Sequence, residues 1–171
     1  MKKVLVCAAV LVASVATVSA QSKTTVKQPI ISAGVEVGLP VGDFKEGYKL
    51  GIGATVQGEY PAAEKVGVTL STGYLSFAGK TFVFMGEKFS NKAQGAIPVL
   101  AGAKYYFTDK VYGHAQLGVS FFNQGVGAAF TYSPGVGIKA SDKVDVLVKY
   151  QSASKNGSSA SFIGARVAYI F

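Results

Sequence analysis

The sequence is poor in acid, in cysteine and in histidine. It holds 9 Asp and Glu among 171 residues, one Cys and one His. The cysteine, Cys7, sits inside an apolar run near the start. The residue before it, Val6, is too bulky for lipoprotein cleavage, and the apolar run continues past it. Without residues 1–20 the chain holds no cysteine, which excludes disulfides and thiol chemistry. With His114 as the single histidine, a multi-histidine metal site is excluded as well. No metal and no cofactor are expected. After residue 20 no apolar stretch reaches the roughly 20 residues of a membrane-spanning helix. The formal charge of +8 invites a nucleic-acid reading. Lys and Arg, however, are scattered singly among glycines and apolar residues, without the cluster such a partner needs, so no nucleic-acid partner is expected.

The first residues follow a different logic from the rest. Lys2 and Lys3 precede an apolar run from Val4 to Val18, and Val18-Ser19-Ala20 supplies small residues. That order describes a secretory signal peptide cut after Ala20. The run is too short for a bilayer-spanning anchor.

What remains is rich in glycine, 21 residues in all, and alternates with period two from Ile31 onward. Ile31, Ala33, Val35, Val37 and Leu39 point one way, and Ser32, Gly34, Glu36 and Gly38 the other. The same alternation recurs near residues 50–60, 66–74, 97–107, 111–121, 128–139, 144–150 and 163–171. Eight such segments have the length that tilted strands need to cross a bilayer. The links Pro61–Glu64, Thr108–Lys110 and Ala140–Asp142 are tight. Pro40–Lys49, Gly79–Gln94 and Gln151–Ser159 read as longer links, and Asn123–Gly127 is short. Outward aromatics sort into two levels. Tyr60, Tyr105, Phe107, Tyr169 and Phe171 fall at one end. Tyr74, Phe121, Phe130, Tyr132, Tyr150 and Phe162 fall at the other, with Phe162 out of phase with its strand. Two aromatic girdles around an aliphatic belt are a membrane signature, and a soluble barrel would carry charge outside. The expected fold is an all-β, eight-stranded antiparallel transmembrane barrel in contact with outer-membrane lipid. The expected division is a signal peptide at 1–20, a short periplasmic N-terminal segment at 21–29 and the barrel at 30–171, with both mature ends periplasmic.

The chain ends in Val167-Ala168-Tyr169-Ile170-Phe171. A terminal Phe with apolar residues at alternate positions before it resembles the signal read by the outer-membrane barrel assembly machinery. That resemblance implies Val167, Tyr169 and Phe171 as the assembly signal and the machinery as a partner in biogenesis. Leu39-Pro40-Val41-Gly42-Asp43-Phe44 and the stretch Ile97-Pro98-Val99-Leu100-Ala101-Gly102-Ala103-Lys104-Tyr105-Tyr106-Phe107 resemble the outer membrane protein β-barrel domain family common in Bacteroidetes. The resemblance is to small OmpA/OmpX-like barrels, and no periplasmic domain is expected after the barrel. The resemblance spans roughly residues 30 to 171 and implies a location without implying an activity.

The inward set carries the polar candidates. Glu36, Glu59 and Asp145 are acidic, Lys104, Lys139, Lys149 and Arg166 are basic, and His114 lies among them. Mixed signs in an eight-stranded lumen favour a filling network over a single-sign selectivity ring. Pairing Ile31 with Phe171 at closure places Glu36 beside Arg166, which predicts an ion pair there. Lipid A deacylases place a serine two residues after the catalytic histidine. Here that position is Gln116, and His114 points into the lumen, so no catalytic residue is assigned. Gly135-Val136-Gly137-Ile138-Lys139-Ala140 mimics a dinucleotide loop, but a strand follows it instead of a helix. The Gly79–Gln94 link carries Phe82, Phe84, Met85 and Phe89 among lysines, a candidate binding loop for an extracellular partner. The function expected is a non-enzymatic envelope barrel with a structural or loop-binding role. A small pore or carrier for apolar solutes and a lipid A-modifying enzyme are the alternatives.

Overall fold

The computed structural model describes residues 28–171 apart from residues 85, 86, 124 and 126. The expected signal peptide and most of the segment at 21–29 therefore lie outside the described residues, as does Met85. The strands are β1 (Ile30–Val41), β2 (Tyr48–Pro61), β3 (Val66–Gly79), β4 (Thr81–Phe84), β5 (Glu87–Ser90), β6 (Gln94–Tyr106), β7 (Val111–Phe122), β8 (Gly127–Ser141), β9 (Val144–Lys155) and β10 (Ser158–Ile170). A single helical turn, α1 (Phe44–Gly47), joins β1 to β2. Eight strands close in the order β1-β10-β9-β8-β7-β6-β3-β2, with β2 back against β1 and every neighbour antiparallel. β4 and β5 form a separate two-stranded hairpin between β3 and β6.

Closure follows from the solvent. Hydrocarbon offers no partner for backbone N–H and C=O groups, so a membrane sheet must have no free edge. The seam between the first and last strands runs from Ser32↔Ile170 to Val41↔Ser161, and the Phe171 N–H donates to the Ile31 carbonyl at 2.9 Å. That is the register expected from the two ends.

Alternation decides which side each residue takes. Ile31, Val35, Val37 and Leu39 are exposed on β1, while Ser32, Glu36 and Gly38 are buried. The other seven strands behave alike, and the outward surface is Val, Leu, Ile and Ala between two aromatic levels. Phe162 departs from the sequence reading. It is 5% exposed and points into the lumen, because β10 stays in phase and residue 162 shares the inward face with Gly164 and Arg166.

The two ends differ. Three tight connections share a pattern of acid, Lys and Val: Glu64-Lys65-Val66, Asp109-Lys110-Val111 and Asp142-Lys143-Val144. Thr108 Oγ1 accepts from the Lys110 and Val111 N–H groups, and Ser141 Oγ accepts from that of Lys143. A hydroxyl folding back on the chain fixes such turns. The opposite end carries α1, the β4–β5 hairpin, the 123–126 link and the β9–β10 turn. That last connection is shorter than the Gln151–Ser159 link expected. The strands pair out to Lys155↔Ser158, leaving a two-residue turn at Asn156-Gly157. Both residues have positive φ, 49° and 81°. Asn-Gly is the pair that tolerates this and matches strand twist. The small polar run Gln151-Ser152-Ala153-Ser154 reads as loop by composition, which hid the turn signal beyond it.

Candidate functional site

The inward face is a stack of three zones. At the short-turn end lies an open vestibule of about 490 Å³, lined among others by Glu59, Glu64, Tyr106, Phe107, Asp109 and Lys139. Lys139 is half-buried there. Its ammonium stands 4.6 Å from the centre of the Tyr106 ring, and no carboxylate lies within ion-pair distance among the described residues.

Above the vestibule sits the charge network. Glu59, Asp145 and Glu36 are buried with Lys104, Lys149 and Arg166, so three acids balance three bases. Lys104 Nζ is 3.0 Å from Glu59 and 3.7 Å from Asp145, and it lies 4.3 Å from the centre of the Tyr112 ring. Asp145 accepts from the Tyr112 hydroxyl at 2.7 Å and faces Arg166 at 3.6 Å. Glu59 accepts from the Tyr106 hydroxyl at 2.6 Å. Arg166 donates to Thr55 Oγ1 at 2.7 Å and to Ser32 Oγ at 3.2 Å. His114 is buried against Thr69 Oγ1 at 3.1 Å, and Gln116 extends that chain to Ser71. His114 also meets the Tyr112 ring edge-on at 6.4 Å and stands opposite Lys104 in the register, and among the described residues no carboxylate hydrogen-bonds its ring.

Glycines make these contacts possible. Glu36 on β1 and Lys149 on β9 flank β10 and meet at 2.9 Å over Gly164. Glu59 on β2 reaches Lys104 on β6 over Gly67 of β3. Tyr112 on β7 reaches Asp145 on β9 over Gly137 of β8. In each case a Cβ on the middle glycine would crowd one of the partners. The general form is a pair two strands apart bridging an inward glycine on the strand between.

This corrects the expected Glu36–Arg166 ion pair. The two residues are directly opposite across the seam, as the register requires. Glu36 nevertheless pairs with Lys149 and Arg166 with Asp145. Long side chains reach past their nearest neighbour when a glycine clears the path, so backbone register alone does not choose partners.

The third zone was missed in the sequence. Phe44, Leu75, Phe77 and Phe162 form an apolar cluster at the long-connection end, with Tyr48 and Ala160 against it. Phe77 lies 5.0 Å from Phe44 and 5.1 Å from Phe162 between ring centres. The void beside them is about 10 Å³, near the minimum that holds one water. Parity carried the signal: Tyr74 faces out, so Leu75 and Phe77 face in, as does the out-of-phase Phe162.

The remaining sequence candidates lie elsewhere. Val167, Tyr169 and Phe171 are exposed on the outer surface of the closing seam, with the two rings 5.2 Å apart. Phe82 and Phe89 are cross-strand partners on the β4–β5 hairpin and exposed, and Phe84 stands opposite Glu87 in its register.

A broken buried pair strands its partner at a cost of roughly 3–5 kcal/mol, whereas an apolar replacement of both members is often neutral. Lys149→Leu is therefore expected to lower the urea midpoint of the refolded barrel clearly. Adding Glu36→Leu should restore most of it. The Glu36→Leu, Arg166→Leu combination should show no such recovery, because it orphans Lys149 and leaves Asp145 with Lys104 and Tyr112 alone.

Comparison with known proteins agrees with this geometry. No curated protein matches the chain in sequence. Among solved structures, Ail of Yersinia pestis in a phospholipid bilayer nanodisc superposes with a TM-score of 0.61 at 15% identity, covering 84% of this chain and 98% of that one. Ail in complex with the heparin analogue sucrose octasulfate gives 0.56 at 16% identity, over 84% and 97%. A de novo designed transmembrane β-barrel gives 0.52 at 16% identity, over 85% and 97%. At such identities the likeness is one of fold alone. The family model described as "Outer membrane protein beta-barrel domain" matches residues 7–171, nearly the whole chain. This protein is a bacterial outer-membrane β-barrel and a member of that family.

Proposed function

We propose that the barrel is a non-enzymatic envelope protein that acts through its long-connection end, with a lumen that does not conduct. The observation that carries this reading is the lumen itself. Its buried charges balance, its charged side chains bridge strand to strand, and an apolar cluster follows them. A selectivity ring would instead present one sign of charge to an open path. A pore or carrier for apolar solutes would need a continuous apolar channel, which the ionic middle zone opposes. A lipid-modifying enzyme would need its acid–base residue within reach of lipid. His114 is buried inside the barrel against Thr69, away from the lipid-facing surface.

Orientation follows the rule that barrels have short periplasmic turns and longer outer connections. The three acid-Lys-Val turns and both ends of the barrel then face the periplasm. α1 and the hairpin face outward, where a partner is met. Outer-membrane lipid covers the belt, and the assembly machinery reads Val167, Tyr169 and Phe171.

Replacing the hairpin between Gly79 and Gln94 by a short turn should leave heat-modifiable migration unchanged and abolish capture of a surface partner from intact cells. Capture that survives the replacement counts against a role for this end. Deleting Phe171 should act on assembly instead: the variant is expected to accumulate in the periplasm and be degraded. Normal membrane insertion of the deletion would remove Phe171 from the assembly signal.

A further inference from the structure

Within the barrel, charge is sorted by height. The lumen network is balanced, and each short turn holds one acid beside one lysine. Apart from Lys139, the excess of positive charge sits at the long-connection end. Lys45, Lys49, Lys80, Lys88, Lys92 and Lys155 stand there against Asp43, Glu46 and Glu87.

The same end exposes two aromatic rings outside the belt. Phe82 and Phe89 face each other across the hairpin and are 44% and 58% exposed. Those values match rings on the outward barrel surface, such as Tyr105 at 51% and Phe130 at 57%. Aromatic rings beside lysines form the pairing that seats proteins at a charged bilayer surface.

The hairpin begins above the outer aromatic level of the barrel wall. Tyr74 marks the girdle, and Thr81 follows seven residues later. At about 3.3 Å per residue and a tilt near 45°, the hairpin starts about 16 Å beyond that girdle. The headgroup layer adds only about 5–8 Å to each side of the hydrocarbon. The base of the hairpin is also held toward the barrel mouth. The Lys80 N–H and Asn91 Nδ2 both donate to the Gly47 carbonyl, at 2.9 and 3.1 Å, and α1 is anchored in the lumen by Phe44.

We infer that the β4–β5 hairpin is a membrane-adhesive element that engages the anionic, phosphate-bearing surface of a second lipid leaflet. The inference rests on the outward orientation proposed above. Lys45 on α1 and Lys80 and Lys92 at the base of the hairpin supply the attraction to phosphate, and Phe82 and Phe89 enter the interface between headgroup and acyl chain. A free sulfated or phosphorylated sugar satisfies the lysines but offers no hydrocarbon to the rings.

The test uses the full barrel in nanodiscs of phosphatidylcholine, floated with vesicles of phosphatidylcholine alone or mixed with phosphatidylglycerol. Binding to the mixed vesicles is expected, weakening with salt, with little binding to the neutral ones. Lys45→Gln, Lys80→Gln and Lys92→Gln together should weaken it about a hundredfold, since each basic residue near an anionic surface contributes roughly fivefold. Phe82→Ser with Phe89→Ser should weaken it at least about tenfold. Heat-modifiable migration of each variant confirms that the barrel is intact. Absence of binding to mixed vesicles overturns the inference. So does binding that ignores the Phe changes and is competed by sucrose octasulfate, which marks a polyanion site. Loss of vesicle binding when the disc itself carries phosphatidylglycerol also overturns it, since the hairpin then prefers its own leaflet. If vesicles fail to bind while removal of the hairpin still abolishes partner capture, the proposed outer-face role stands and only the lipid partner falls.

Discussion

A membrane barrel must leave no backbone group unpaired in hydrocarbon, and everything else in this molecule is arranged around that closure. The seam between β1 and β10 joins residues more than a hundred positions apart in one unbroken antiparallel register. Once closed, alternation leaves no freedom: each strand shows one set of residues to lipid and the other to a narrow interior. Eight strands enclose a space that side chains just fill. The inward residues must therefore fit one another in volume and in charge.

Glycine solves both parts of that problem. Gly67, Gly137 and Gly164 face inward between partners on the strands to either side, and each carries a buried contact across its bare backbone. The network consequently connects alternate strands: β1 with β9, β2 with β6, and β7 with β9. This ties the cylinder together from within as well as around its wall. The charges balance because an unmatched ion in such a site is costly. Balance in the middle leaves the long-connection end as the place where net charge and exposed aromatic rings are presented together.

Much of this is legible in the sequence because lipid imposes a two-letter code. Ile31 to Leu39 can be read as half outward and half inward by inspection, and the closing register follows from Ile31 and Phe171. Partner choice within the lumen is not legible from register, since Glu36 bypasses the opposite Arg166 for Lys149. The reach of a lysine over Gly164 is a three-dimensional fact, although inward glycines flanked by charges two strands apart now give a rule for finding it. The apolar cluster escaped for another reason. Phe44 belongs to a connection, and Leu75, Phe77 and Phe162 break the polar-inside pattern that the lower half teaches. The Asn156-Gly157 turn was hidden by composition, because Ser and Ala serve equally well in a strand lining a barrel.

The central claim is that the balanced network and its apolar cap fill the lumen, which moves function to the outer face. Planar-bilayer recording of the refolded protein tests it most directly. The account predicts no stable unitary current from the unmodified barrel, and none after Phe44→Ala, because the ionic zone remains beneath the loosened cap. A steady ohmic current from the unmodified barrel, altered by charge reversal at Lys104 or Arg166, would contradict it.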